Sequence, residues 1–264
     1  MYTGYWELKN QPFGNAPDQD LFFPSPQHEE ALIRLLYAVE NRKGVAMLTG
    51  EVGSGKTTIS RVLKDRLPED RFEVKTIVNP ALNSLELIRA ILLALGVNHE
   101  GESKVLLLER LEAKLAANAD TGRHTVLIID EAHLIKERAS LEELRMLLNI
   151  QSDGGFLITM VIMGQPPLMG NIQTLRPLNE RIAIRFDLGP LTHQNTMRYI
   201  LYRLKSAGAT RGMFTKEAIT PIFSYSKGIP LRINNLCERC LLIGAMQRAR
   251  VIDTNIVKMA IEDL

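Results

Sequence analysis

The sequence predicts an α/β fold: a five-stranded parallel sheet between helices, followed by a small all-helical domain. Three observations carry that expectation. Apolar runs suited to buried strands alternate with helical periodicity from residue 45 to about 190, which is the pattern of a parallel sheet wrapped on both faces. One of those runs leads through Gly50-Glu51-Val52-Gly53-Ser54-Gly55-Lys56-Thr57 into a helix. From Leu191 onward only helical patterns remain.

The first run, Val45–Thr49, and its glycine loop organise the rest. The loop satisfies G-x-x-x-x-G-K-[ST], a pattern that arises by chance at roughly one in ten thousand positions. Its glycines let successive N–H groups turn toward one anion, with the start of the helix Ile59–Leu67 behind them. Gly50 to Thr58 therefore read as ligands of a nucleoside triphosphate. Lys56 reaches the β- and γ-phosphates and the Thr57 hydroxyl holds Mg²⁺.

Ahead of that loop, Tyr2–Pro26 is rich in aromatics and turn residues (Tyr2, Tyr5, Trp6, Pro12, Phe13, Pro17, Phe22, Phe23, Pro24) and reads as a packed irregular arm. Ser25 as N-cap and Pro26 at the first helical position open a helix to about Asn41. The arm has two readings. It holds a nucleotide base, with Pro24, Gln27 and His28 nearest, or it is an apolar strap closing the sheet edge.

After the loop, Phe72–Val78 is the second strand, ending at Asn79-Pro80. Ser84–Leu95 and Val105–Ala117 are helices separated by the polar turn Gly96–Ser103. Thr125–Ile129 is a strand buried on both faces, ending in Asp130-Glu131-Ala132-His133. Ser140-Leu141-Glu142-Glu143 reads as a capping box opening a helix to about Ile150. Gly155–Met163 is the fourth strand and runs into Gly164-Gln165-Pro166-Pro167; Ile182–Asp187 is the last. The helical tail divides into Gln194–Ala207, Lys216–Ser226, Leu231–Ala249 and Thr254–Leu264, with breaks at Gly208–Gly212 and Gly228–Pro230. The expected organisation is thus an arm and helix on the nucleotide site (1–44), a core (45–190) and a lid (191–264).

Asp130 organises Mg²⁺ with Thr57, and Glu131 polarises a water for attack on the γ-phosphate. His133 reads as a helix-start or packing residue. Gln165 contacts the γ-phosphate or the attacking water, or is a turn residue ahead of two prolines. Arg181 and Arg185 flank the last strand. Either arginine, supplied from a neighbouring subunit, stabilises the charge of phosphoryl transfer, Arg185 being favoured. The competing reading is surface ion pairs with Glu180 and Asp187.

Composition sets wide bounds. The chain has 264 residues, 45% hydrophobic and 23% charged, with a net charge of +2. That charge is too near neutral to argue for nucleic acid. No apolar run approaches a bilayer span, the N-terminus lacks a signal-peptide pattern, and the two cysteines suit a reducing compartment. Cys237 and Cys240 lie inside a helical pattern without a second ligand pair, so they read as core thiols. The expected location is cytoplasmic, with peripheral attachment to the inner membrane allowed.

The set of motifs resembles AAA+ ATPases, and within them the general secretion pathway protein A family. YTGYWELKNQPFGNAPDQDLFFPSPQHEEAL is similar to that family's opening. LTGEVGSGKTT resembles its phosphate loop, LIIDEAHL its acidic strand end and MGQPPL its sensor-1 turn. LNERIAIRFDLGPLT, YILYRLKSAG and GIPLRINNLCERCLL resemble its arginine-finger segment and lid. The resemblance implies an enzyme that hydrolyses ATP with Mg²⁺ and assembles into a ring or filament. Such an enzyme drives assembly or remodelling of an envelope secretion, pilus or exopolysaccharide system through a protein partner. It implies Gln165 as sensor 1, Arg185 or Arg181 as a finger acting in trans, and Asn79 as the residue restraining Glu131. Arg232 is the implied sensor 2, although Leu231 stands where the family's arginine commonly follows the proline. Better-known members continue into a membrane span and an envelope-binding region after the lid; this sequence stops at Leu264, as a short member or a truncated form would. The alternative function is a DNA-associated regulator of the transposition (TnsC/MuB) type, assembling on DNA with ATP; DNA is not the favoured partner.

Overall fold

The computed structural model describes residues 2–15, 22–98, 101–152 and 155–264. Pro17 of the expected arm and part of the expected turn at 96–103 lie outside the described residues. The chain divides into two compact units. One comprises residues 30–50 and 59–188; the other comprises residues 1–29, 51–58 and 189–264.

The first unit is built on five parallel strands: β1 (Val45–Gly50), β2 (Phe72–Ile77), β3 (His124–Ile129), β4 (Ile158–Gly164) and β5 (Ile182–Leu188), in the spatial order β2-β3-β4-β1-β5. Every residue of β1, β3 and β4 is buried. Such strands need both faces covered, and their near-continuous Val, Ile, Leu and Met content matches that demand. β5 is the outer strand beside β1. It alternates buried and exposed positions and shifts register between Val45 and Ala46. Thr49 Oγ1–H donates to Asp187 Oδ1 at 2.6 Å, joining β1 to β5 near their carboxyl ends.

Two elements begin elsewhere than the sequence predicts. The fourth strand begins at Ile158 rather than Gly155, because Gly155 and Phe156 pair antiparallel with Gln151 and Ser152. Gly155 has φ +105°, a conformation that cannot open a parallel strand. Ser140 does not cap a helix. The helix runs Arg138–Leu147, Ser140 lies within its first turn, and its hydroxyl donates to Leu82 O. Glu143, the other half of the expected box, is buried and pairs with Lys104 Nζ. A capping box does occur at Asn83, whose side chain accepts from Leu85 and Glu86 N–H while Glu86 accepts from Asn83 N–H.

The second unit contains the helices His193–Ser206, Lys216–Ser226, Pro230–Met246 and Thr254–Glu262. Thr192, Thr215 and Asp253 each cap a helix through the side-chain oxygen. Its core also holds Tyr2, Trp6 and Phe13. Trp6 Nε1–H donates to Leu241 O at 2.8 Å, and Arg203 reaches Pro12 O and Gly14 O. Tyr2, Trp6 and Phe13 of the arm are therefore core residues of the helical unit. Cys237 and Cys240 are buried in the same core and free. Burial pushes the Cys240 thiol up to about 12 and the Cys237 thiol upward as well, as inert core thiols require.

His124, the first residue of β3, is buried with Nε2 2.8 Å from Thr159 Oγ1. Burial, helped by the charge of Arg42, pushes its pKa down to about 4 from an ordinary 6.5. Between those values the unfolded chain binds a proton that the folded chain refuses, so stability falls as pH falls through that window. The loss attributable to this residue at pH 5 is about 2 kcal/mol relative to pH 8. His124→Gln is expected to shrink the pH 8 to pH 5 difference in urea-unfolding free energy by about that amount; an unchanged difference contradicts it.

Candidate functional site

The glycine loop belongs to the helical unit, and its shape is set by two residues without side chains. Gly53 has φ +78° and Gly55 φ +104°, both in the region that favours glycine. A Cβ on Gly53 would sit 2.3 Å from Leu231 Cβ, and one on Gly55 would sit 3.0 Å from His28 Nε2. Leu231 N–H donates to Gly53 O at 3.2 Å. His28 is buried; its Nε2 lies 2.9 Å from Ser54 O and its Nδ1 2.6 Å from Ser25 Oγ. A carbonyl only accepts, so Nε2 carries the proton and Nδ1 accepts from the Ser25 hydroxyl. Burial lowers the His28 pKa, which keeps the ring neutral. Both ring nitrogens are thereby committed to the loop and its approach, and a base contact by His28 would require one of them to be released.

Within the loop, Ser54 Oγ is buried without a hydrogen-bond partner among the described residues. The N–H groups of Gly53 and Gly55 donate to no backbone carbonyl there. Lys56 opens the helix Lys56–Arg66, is itself buried, and its Nζ donates to Glu51 O at 3.0 Å. Glu51 and Val52 are exposed, while Thr57 and Thr58 are half-buried. A buried hydroxyl, N–H groups not spent on backbone carbonyls and a buried ammonium are donors of the kind a phosphate chain satisfies. At the other side of the loop, Leu231 rather than Arg232 meets Gly53. Arg232 follows on the Pro230–Met246 helix, about 100° around it, and is exposed.

In the sheet unit the strand order sets the spacing of the chemistry. β4 lies between β1 and β3, so Asp130, which follows β3, stands about 10 Å across the sheet from the end of β1. Asp130 is buried and its Oδ1 accepts from Glu131 N–H at 2.9 Å. Glu131 adopts φ 52°, ψ 33°, a left-handed conformation that is costly for a side chain of this size. Its Oε2 lies 3.1 Å from His133 Nδ1. Gln165, which follows β4, donates its N–H toward the same Nδ1 at 3.3 Å. His133 thus stands between the two residues assigned to catalysis. It sits in a short 3-10 turn, Ala132–Leu134, and the only sequence signal for this position was its spacing two residues after Glu131. Asn79 is exposed and accepts from Ala81 N–H at 3.4 Å.

Among the described residues the two arginines do not make the ion pairs of the competing reading. Glu180 is held by Arg176, and Asp187 accepts from Thr49. Arg181 donates to Arg145 O and to Asn149 Oδ1 at 2.8 Å, and Arg185 donates to Asn179 O and Oδ1. Arg185 is exposed on the outer strand β5. Among the described residues no group of three or more His, Cys, Asp or Glu could hold a metal ion, and no helix is long and apolar enough to cross a membrane.

Residues 39–171 match the sequence profile described as an AAA domain. The chain is 37% identical over 246 residues to general secretion pathway protein A of Aeromonas hydrophila, covering 92% of this chain and 44% of that protein. It therefore spans less than half the length of that relative. Among solved structures it is similar to the Aeropyrum pernix ORC2 protein in ADPNP and ADP complexes (TM-score 0.73, 15% identity, 96% of this chain and 71% of that one). The Thermotoga maritima RuvB Holliday junction branch migration motor also superposes (TM-score 0.63, 22% identity, 96% and 73%). At these identities the structural likeness establishes the fold alone.

The glycine geometry gives a direct test. Gly53 and Gly122 share a positive φ, but a Cβ on Gly122 meets nothing within 4 Å. Gly122→Ala is expected to cost about 1 kcal/mol, from backbone strain only. Gly53→Ala adds a collision with Leu231 and is expected to cost at least ~3 kcal/mol, read as thermal midpoints. Equal shifts for the two variants contradict the packing argument.

Proposed function

The chain belongs to the AAA domain family, and from that premise we propose that it is an oligomeric ATPase that binds ATP with Mg²⁺ and hydrolyses it. The observation that supports this most is the donor set of the loop: positive-φ glycines packed too closely to admit a side chain, an orphaned Ser54 hydroxyl and a buried Lys56. In this reading Gly50 to Thr58 hold the phosphates, Lys56 neutralises the β- and γ-oxygens, and Thr57 and Asp130 hold Mg²⁺. The metal would spread the charge that develops on the transferred phosphoryl group. Glu131 accepts a proton from water as its oxygen attacks the γ-phosphorus, and the bond to the bridging oxygen breaks to give ADP and phosphate. Gln165 orients the water or the γ-phosphate.

Arg185 is assigned to a neighbouring subunit's reaction. It is exposed on the outer strand, where a second copy can approach, and Arg181 is more deeply committed to Arg145 and Asn149. The task is assembly or remodelling of an envelope secretion system, supported by the identity to general secretion pathway protein A. Duplex DNA is the alternative partner. One solved structure with the same fold is titled as the Aeropyrum pernix ORC1 protein in complex with DNA (TM-score 0.70, 20% identity).

Lys56→Ala is expected to abolish binding of a fluorescent ATP analogue, whereas Glu131→Gln keeps binding and lowers turnover at least ~100-fold. Turnover by Glu131→Gln at the wild-type rate contradicts the assignment of the base. Specific activity is expected to rise with protein concentration as oligomers form, and Arg185→Ala to lose ~10³-fold at saturating concentration. Flat activity from a persistent monomer contradicts the role in trans. Duplex DNA is expected to leave the oligomers unchanged. Assembly that requires DNA and weakens steeply with salt would move the DNA reading to the front.

A further inference from the structure

Two contacts on His133 compete for one nitrogen. In this structure Nδ1 accepts from Gln165 N–H at 3.3 Å, while Glu131 Oε2, 3.1 Å from the same nitrogen, is buried and makes no hydrogen bond among the described residues. A ring nitrogen donates only when it carries a proton and accepts only when it does not. Nδ1 therefore serves Glu131 or Gln165, and never both at once. The turn that carries the ring is itself hydrogen-bonded. Leu134 N–H bonds to Glu131 O and Ile135 N–H to Ala132 O, closing the turn that carries His133. Ala132 and Ile135 on either side are buried. Gly164 makes the approach possible, because a Cβ there would stand 3.0 Å from His133 N and 3.2 Å from Nδ1.

We propose that His133 is a positioning residue that couples the turn after β4 to the carboxylate of Glu131. With its proton on Nδ1 the imidazole donates to Glu131 and fixes the carboxylate. With its proton on Nε2 it accepts from Gln165 N–H and leaves the carboxylate free. The state of the Gln165 turn is thereby read out two strands away from the phosphate loop's own strand, at the residue that handles water. Asn79, which family resemblance assigns to restraining the glutamate, is exposed and accepts from Ala81 N–H. This inference rests on the assignment of Glu131 as the base.

The test compares steady-state ATPase and binding of a fluorescent ATP analogue for wild type, His133→Ala and His133→Asn, each alone and with Glu131→Gln. His133→Ala is expected to lower kcat about tenfold or more while KM and analogue affinity stay within about twofold. His133→Asn, whose amide can still donate to the carboxylate, is expected to recover part of the loss. In the Glu131→Gln background the His133 substitutions are expected to change nothing further. Unchanged kcat in His133→Ala, or kcat and affinity falling together, overturns the proposal. A second readout requires no turnover and no His133 variant. In protein labelled with ¹⁵N-histidine, the Nδ1 resonance of His133 is expected to move on Glu131→Gln, and an unmoved resonance overturns the coupling. A wild-type protein that binds no ATP analogue overturns the ATPase reading itself, a result distinct from either.

Discussion

The close packing of Leu231 and His28 against two glycines of the phosphate loop is the constraint from which the helical unit's chemistry follows. A side chain on Gly53 would overlap Leu231 outright, and one on Gly55 would press on the His28 ring. Those contacts hold the loop in a conformation that only glycine adopts without strain. They also consume the carbonyls of Gly53 and Ser54, through Leu231 N–H and His28 Nε2–H. With the carbonyls turned to those partners, the loop retains N–H groups and a buried hydroxyl for an anion. His28 is itself held by the Ser25 hydroxyl and the Ser54 carbonyl.

The sheet sets the spacing of the other residues proposed for the chemistry. Parallel strands release their chains at one end, and the order β2-β3-β4-β1-β5 puts the end of β4 beside that of β1 and the end of β3 one strand further on. Asp130, Glu131 and Gln165 are thus neighbours by strand order although far apart in sequence. The left-handed backbone at Glu131 and the hydrogen bond from its N–H to Asp130 show how tightly the acidic pair is set. Strain of this kind persists where the surrounding structure imposes it, and here β3 and the Ala132–Leu134 turn impose it from both sides.

Much of this was legible in the sequence. Runs such as Thr125–Ile129 are β-branched and apolar because both faces of the sheet are covered, and Lys216–Ser226 was delimited to the residue between the breaks at Gly208–Gly212 and Gly228–Pro230. Features that depend on tertiary partners were not legible. Ser140 and Glu143 have the spacing of a capping box, yet each finds a better partner in Leu82 O or Lys104. Gly155 extends an apolar run on paper but pairs antiparallel with Ser152 in space. His133 looked like packing because the nitrogen of Gln165 that meets it is thirty-two residues away in the chain. Leu231 and Arg232 illustrate the same limit: adjacent letters on a helix face different ways, and only the three-dimensional register shows which one meets Gly53.

The central claim is that the loop and the acidic strand end answer to the same ligand, and amide hydrogen exchange with and without ATP and Mg²⁺ tests it most directly. New protection is expected at the amides of residues 53–58 and, in the same titration, at residues 130–133 and 165. Protection confined to the loop, or spread evenly over the chain, would contradict the account.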